Sequence, residues 1–359
     1  MKPRAAPDVP DFDLLLRDVA RSFYLTIKVL PKKMRRPVAL AYLLARAADS
    51  VADMQEVSCE LQIQLLTRFR GVVQSVELDE TGILQFIQDV PEQHANPGEQ
   101  RLIQALLPVF NHYLALPQAD RVDVRHVVMT LTEGMLFDLD YFDVALNDVR
   151  ALSEDREIQR YTYLVAGCVG EFWTRLMLRH FSILSHDAAA SRLQQQGIRF
   201  GQALQFTNIL RDIYEDAERG RCYLPIGTAN TMQWPRQQLF SQALAHSAEC
   251  YLKHAVDCYQ DAECYLLTIP RRHWRLRLAA LWPQVIGLYT LTLLAQNPRW
   301  FYENKVHKIK RQQVYRMLFF SLFMVFSNTL SKRWLQRLRA VVLAQLALKP
   351  DLTSRPGCG

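Results

Sequence analysis

Apolar residues recur along this chain at the three-to-four-residue spacing of amphipathic helices, and no run reads as the two-residue alternation of a strand. Phe12, Leu15, Leu16, Val19 and Phe23 set the pattern of a first helix, which Asp11 is placed to cap. Pro31 and Pro37 punctuate the next segment and predict a loop or short turn between two helices. The second helix, Val38 to about Asp53, is apolar over most of its surface (Ala39, Leu40, Tyr42, Leu43, Leu44), as a buried helix is, yet it ends in the charged run RAADSVAD. Further helices are expected at 59–75, about 99–115, 118–142, 158–180, about 188–219, 236–268 and 272–296, with a polar loop over 90–100. A basic segment, Asn304–Leu318, then leads into an apolar helix near 317–330. With no repeat and no linker, the pattern predicts one all-α domain over residues 11–345, between a disordered N-terminus (1–10) and a flexible tail (346–359).

The helix at 188–219 carries the most specific chemistry. Asp212 and Asp216 lie four residues apart, so their side chains share a face with Cβ atoms roughly 6 Å apart. Carboxylates stacked in this way repel unless a cation sits between them, and Mg²⁺ suits them, because it takes one or two carboxylates and completes its shell with water and phosphate oxygens. Arg211 and Arg221 offer fork-shaped donors for the same phosphates. Asp49 and Asp53 repeat the spacing on the second helix, with Arg46 just upstream. A single such pair is commonly a solvated surface feature. Two pairs, each on an otherwise apolar helix, need pairing or a metal, and facing helices of a bundle could build one site from both. Gly167 and Gly170 weaken the helix at 158–180 and are most easily explained by another backbone or a long ligand passing close by. Asp138, Asp140 and Asp143 read as a solvated helix end, and the histidines show no zinc-binding spacing.

Composition narrows the setting without choosing a ligand. Half of the residues are hydrophobic, and 43 Lys+Arg against 36 Asp+Glu give a net charge of +7, compatible with anionic small molecules, membrane surfaces or nucleic acid. The paired aspartates argue against nucleic acid. Seven scattered cysteines without a CxxC pair read as free thiols in a reducing compartment. The N-terminus lacks the apolar core of a secretory signal, and no bilayer-spanning segment is expected, with Met317–Ser331 taken as the nearest candidate.

The elements RSFY, Y-x₃-R-x₂-DSVAD, Y-x₃-VAG-x-VG and Q-x₂-NILRDIYED-x₃-GR-x-YLP stand in this order over residues 12–315 and resemble the squalene/phytoene synthase family, most closely its squalene synthases. The resemblance implies an isoprenoid-synthase helical bundle around a central apolar cavity, and head-to-head condensation of two farnesyl diphosphates through presqualene diphosphate to squalene. It implies that Asp49, Asp53, Asp212 and Asp216 hold Mg²⁺, that Arg21, Ser22, Arg46, Arg211 and Arg221 contact phosphate, and that Phe23, Gln205 and Asn208 belong to the substrate site. Tyr42 and Tyr161 match tyrosines lining the reaction centre, and Lys308 matches a lysine that holds the phosphate of NADPH. Two positions depart from the family: Ala48 precedes Asp49 where many members have a second aspartate, and Ala52 stands where the eukaryotic squalene synthase form has Glu, so the first pair has fewer carboxylates than the second. The expected setting is a cytoplasmic monomer with a peripheral contact at the inner face of a membrane, for which the helix near 317–330 is the candidate. The alternatives are the same fold stopping at presqualene diphosphate, hydroxysqualene, dehydrosqualene or phytoene, and, from another class, a non-catalytic helical binder of anionic lipid or nucleic acid.

Overall fold

A computed structural model of the chain describes residues 12–20, 23–54, 57–91, 96–143, 148–183, 187–226, 233–235, 242–297, 300–302, 309 and 311–348. Among these residues the chain is helical apart from a small three-stranded sheet. It divides into two compact units, Met1–Asp140 and Tyr141–Gly359, which are described separately below.

The first unit is organised around α3 (Lys32–Ala52). Leu40, Leu43, Leu44, Ala47, Ala48 and Val51 are buried along it, which accounts for its nearly all-apolar sequence. Around it lie α1 (Phe12–Ala20), α2 (Phe23–Val29), α4 (Cys59–Gln74), α6 (Pro97–Gln104) and α7 (Leu106–Leu114), with α5 (Glu80–Asp89) against α4 and α7. An aromatic cluster joins α4, α5 and α7: the Phe69 ring is 5.3 Å from Phe86 and 6.1 Å from Phe110. The long helix α8 (Gln118–Tyr141) is tied to α4 by Arg70, whose Nη1 donates to Met129 O at 2.6 Å and Thr132 Oγ1 at 2.7 Å.

In the second unit the central helix is α11 (Asp187–Glu218), packed most extensively on α12 (Gln242–Thr268) and also on α10 (Cys168–His180) and α13 (Trp274–Gln296). The backbone of α11 passes unusually close to the segment before it. A Cβ on Gly170 would lie 1.9 Å from Gly197 O, and one on Gly201 only 2.2 Å from Ala166 O. Gly170 therefore serves a backbone-to-backbone crossing, as expected, and α11 supplies the matching glycines, whereas a Cβ on Gly167 would meet side chains, the nearest being Tyr163 at 3.1 Å. Beside that crossing the chain makes a π-helical turn, Tyr163–Gly167, between α9 (Asp155–Thr162) and α10, a deviation that recurs at functional sites. Strands β1 (Asp148–Ala151), β2 (Arg221–Cys222) and β3 (Gln233–Pro235) form the sheet in the order β2-β1-β3, parallel between β1 and β2.

The structure departs from the sequence pattern at several points. Pro37 does not end a loop; it lies inside α3, buried, where it forgoes one backbone bond in the second turn, and the chain turns at Pro31 instead. The segment read as a polar loop over 90–100 ends in the start of α6, with Asn96 Oδ1 accepting from Gly98 N at 3.0 Å and Glu99 N at 3.2 Å and Pro97 opening the helix. The helix expected over 99–115 breaks at Ala105, and the three strands, none longer than four residues, had no visible alternation. The run Met317–Leu330 is divided between α14 (Arg311–Met324) and α15 (Asn328–Ala347). Among the described residues the segment long and apolar enough to cross a membrane is a different one, Arg271–Gln296, but 67% of its most apolar window is buried inside the protein, as in a core helix.

Arg277, on α13, is completely buried and acts as a pin for chain ends. It donates to Val325 O at 2.9 Å, Ile269 O at 2.7 Å and Leu266 O at 3.4 Å, and burial, with Arg271 nearby, lowers its pKa to about 10. Arg277→Met would remove the side-chain donor of the Val325 and Ile269 carbonyls, whereas Leu266 O keeps its bond from Ile269 N. Denaturant unfolding should show a loss of about 2–4 kcal/mol; an unchanged unfolding midpoint would contradict the assigned role.

Candidate active site

In the first unit the candidate residues gather at the C-terminal end of α3. Asp49 lies in its last turn and Asp53 is its C-cap, with Asp53 N donating to Asp49 O at 2.9 Å. No basic residue sits in that turn. Two carboxylates at the negative end of a helix dipole are unfavourable unless a cation comes close. Among the described residues Arg46 brings such a cation, its guanidinium bonding both Asp49 and Glu99 of α6. Burial nevertheless raises the Asp49 carboxyl to about 6, the Asp53 charge adds to the rise, and Arg46 opposes it. The turn itself is held by Gln62 of α4, a buried side chain whose Nε2 donates to Ala52 O (2.8 Å), Met54 O (3.0 Å) and Val51 O (3.1 Å). Tyr42 stands two turns earlier, its ring stacked on Phe23 at 5.4 Å and its hydroxyl donating to Val19 O at 3.1 Å.

In the second unit Gln205, Asn208, Asp212 and Asp216 follow one another at steps of three, four and four along α11, so they share one face. Asn208 Nδ2 donates to Gln205 Oε1 at 3.5 Å. Arg211 turns onto its neighbour: Nε donates to Asp212 Oδ1 at 2.7 Å and Nη2 bonds Oδ2. The hydrogen bond to Asp212, assisted by the charges of Asp212, Glu215 and Asp216, raises the Arg211 pKa against the effect of burial. Just beyond, α11 stops at Gly220, whose φ of 78° is open to glycine without strain. That turn delivers Arg221 into β2, where Gly220 O and Cys222 O accept from Arg150 N (2.9 Å) and Leu152 N (3.0 Å) of the β1 segment. Asp216 and Arg221 thereby line one small recess together with Ile209, Ile213 and Tyr223.

Tyr161 is buried and stacks on Tyr223, with ring centroids 4.7 Å apart and 14° between planes. Tyr223 continues to Phe142 at 5.0 Å, and Phe142 to Tyr141 at 5.0 Å. A continuous row of packed aromatic rings thus starts at the recess holding Asp216 and Arg221.

Most candidates therefore have a defined place: Tyr42, Arg46, Asp49, Asp53 and Phe23 in the first unit, and Tyr161, Gln205, Asn208, Arg211, Asp212, Asp216 and Arg221 in the second. Arg21, Ser22 and Lys308 lie outside the described residues. Glu99, Gln62 and Tyr223 are additions that the motif spacing did not recruit. Among the described residues no three His, Cys, Asp or Glu side chains converge as a ready-made metal cage. The donor set instead offers carboxylate pairs, which suits Mg²⁺, an ion that fills most of its shell with water and substrate phosphate.

A family model described as squalene/phytoene synthase matches residues 16–314. Among relatives, a probable squalene synthase of Neurospora crassa is 27% identical over 295 residues, 79% of this chain and 56% of that protein. Squalene synthase of Schizosaccharomyces pombe is 25% identical over 325 residues, 86% of this chain and 64% of that protein. A bifunctional lycopene cyclase/phytoene synthase of Blakeslea trispora is 27% identical over 225 residues, 62% of this chain and 33% of that protein. The chain thus spans only about a third to two thirds of these relatives' lengths. In fold it is similar to a ligand complex of TcSQS (TM-score 0.70, 20% identity, covering 98% of this chain and 94% of that one). It is also similar to a ligand complex of a dehydrosqualene synthase (TM-score 0.52, 19% identity, covering 87% and 94%). The architecture is the all-α isoprenoid-synthase fold, and the chain belongs to the squalene/phytoene synthase family.

Proposed function

We propose that this protein joins two molecules of farnesyl diphosphate head to head, through presqualene diphosphate, to give squalene. The observation that supports this reading most is the corner between α11 and β2. Asp212 and Asp216 share a helix face there, Arg211 and Arg221 flank them, and the Tyr223–Tyr161 stack begins at the same recess.

Asp49, Asp53, Asp212 and Asp216 are the residues that would hold Mg²⁺. When bound, Mg²⁺ neutralises the charge that collects on a diphosphate leaving group. Arg211, which now forks onto Asp212, and Arg46, which spans Asp49 and Glu99, are guanidiniums already held beside carboxylates. Each can exchange a carboxylate oxygen for a phosphate oxygen without leaving its place, and so meets developing negative charge with a preorganised donor. Arg221 adds a third donor next to Asp216. The hydrocarbon cation left by ionisation needs a dry, aromatic surface that leaves the second prenyl double bond as its only nucleophile. Tyr161, Tyr223 and Phe142 offer such a surface. Arg21, Ser22 and Phe23 are assigned to the first diphosphate and Gln205 and Asn208 to the second aspartate face. NADPH, with Lys308 as its phosphate contact, is the reductant of the final step in this reading. Similarity to a bifunctional lycopene cyclase/phytoene synthase favours one second reading, phytoene formation from geranylgeranyl diphosphate.

Purified protein given farnesyl diphosphate and Mg²⁺ should release diphosphate, and Asp212→Ala should slow that release by about a hundredfold or more. Turnover indifferent to EDTA would rule out the metal-assisted reaction. Mass spectrometry of products from farnesyl and geranylgeranyl diphosphates, with and without NADPH, separates the readings: squalene appearing only with NADPH is expected, and phytoene from the longer substrate would replace it. The raised pKa of Asp49 adds a pH signature. Above about pH 6 the metal-free fold carries an unrelieved carboxylate there, whereas below it a proton relieves the charge and must be displaced by metal. The Mg²⁺-dependent rise in thermal midpoint should therefore shrink as pH falls through about 6, and Asp49→Asn should remove that pH dependence. A shift constant across that range would contradict it.

A further inference from the structure

The face of α11 that carries Gln205, Asn208 and the aspartates continues to Gln202, three residues before Gln205 and buried. The Gln202 side chain reaches across to α9, where its Nε2 donates to Gln159 O at 3.2 Å, Thr162 Oγ1 at 3.2 Å and Gln159 Oε1 at 3.4 Å. Two amide hydrogens are thus divided among three acceptors on one short segment. That segment is where the chain changes from α-helix to π-helix. Gln159 O also accepts from Tyr163 N and, at 3.1 Å, from Thr162 Oγ1. At the far end of the same turn, Gly167 leaves space that Gln202 shares with Tyr163 and Ile198: a Cβ there would lie 3.3 Å from Gln202 Cγ. Gln202 therefore spans the π-helical turn from entry to exit.

Gln159 and Thr162 flank Tyr161, two residues before it and one after. The contacts of Gln202 accordingly grip the chain on both sides of the ring that stacks on Tyr223. Two side chains of α12 complete the hold on α9. The Tyr251 hydroxyl donates to Asp155 Oδ1 at 2.6 Å. His254 Nε2 lies 3.0 Å from Gln159 Nε2 and accepts from it as a neutral imidazole, the form that burial favours. A π-helical turn holds one residue more than an α-helical one, so the segment has a second available register, plain α-helix. Relaxing to it would rotate α9 against α10 by one residue's step, about 100°, and carry Tyr161 away from Tyr223. The buried amide of Gln202, bonded at the switch itself, opposes that relaxation.

We propose that Gln202 is a positioning residue: it pins the π-helical turn and so holds Tyr161 in the aromatic row, where the ring keeps water from the ionised prenyl chain. The inference deepens the proposed reaction and rests on it for the part that Tyr161 plays. Its test uses the full chain labelled with fluorotyrosine, the Tyr161 signal in fluorine magnetic resonance being assigned through Tyr161→Phe. Gln202→Leu keeps the bulk of the side chain and removes its donors. The Tyr161 signal should shift or split in this variant, whereas that of Tyr113, buried in the first unit, should stay in place. With farnesyl diphosphate and Mg²⁺ the variant should lose about tenfold or more in kcat at nearly unchanged KM. The share of turnovers ending in farnesol should rise about threefold or more. Farnesol forms when a water oxygen bonds to the cationic carbon and a proton passes to solvent, so its share reports access of water to the cation and does not depend on how much protein is folded. A Tyr161 signal unmoved by Gln202→Leu would overturn the proposal. So would a moved signal with the parent's farnesol share, which would make Gln202 an ordinary tie between helices. Should Gln202→Leu not fold, Thr162→Val, which removes one acceptor, decides by the same two readouts. A parent protein that turns over no prenyl diphosphate would sink the reaction instead, and the fluorine signal would still decide whether Gln202 places the ring.

Discussion

Carboxylates one helical turn apart are the constraint around which this protein is built. Asp49 and Asp53 crowd the negative end of the α3 dipole, and Asp212 and Asp216 share a face of α11. Away from solvent such pairs need positive charge at hand. In each unit an arginine supplies it, Arg46 through Asp49 and Glu99 and Arg211 through Asp212. At the first pair burial, with the Asp53 charge beside it, raises the Asp49 pKa more than Arg46 lowers it. A helix that keeps an incompletely neutralised carboxylate is one whose stability gains from an added cation. The same charges that cost the metal-free fold stability are, in the proposed reaction, the means of binding metal and diphosphate.

Holding these charges in place requires rigid surroundings, and each unit provides them differently. Around α3 the work falls to side chains: Gln62 closes three carbonyls of the terminal turn, and Glu99 fixes the far side of Arg46. Around α11 the backbone itself is the clamp. Gly170 and Gly197, and Gly201 with Ala166, bring two backbones together more closely than any side chain would permit. The π-helical turn beside that crossing sits between Tyr161 and α10, so the aromatic row and the aspartate helix are positioned by the same packed junction.

The parts of the site that depend on spacing within one helix were legible in the sequence. The two DxxxD pairs, their arginines and the VAGCVG glycines could all be read there because α-helical periodicity is local. The parts that depend on tertiary contact were not. Glu99 lies 53 residues from Arg46, and nothing in either neighbourhood announces the pairing. Tyr223 was inside a recognised motif, but its stacking on Tyr161 is a property of the β1–β2 pairing, and strands of two and four residues are too short to show alternation. Two misreadings were avoidable in principle. Asn96-Pro97 followed by Glu99 is a helix start, hidden by the polar composition around it. Pro37 reads as a breaker, yet a proline in an early turn gives up a single bond and the helix runs through it.

The central claim is that the aspartate pairs are metal ligands and not merely partners of their arginines. It is tested most directly by the free Mn²⁺ signal in electron paramagnetic resonance, titrating the protein in the presence of inorganic diphosphate. The account predicts tight Mn²⁺ uptake that depends on diphosphate and is lost or sharply weakened in both Asp212→Asn and Asp49→Asn. Uptake in those variants equal to that of the parent would show that the carboxylates serve only their arginines, and would contradict the account.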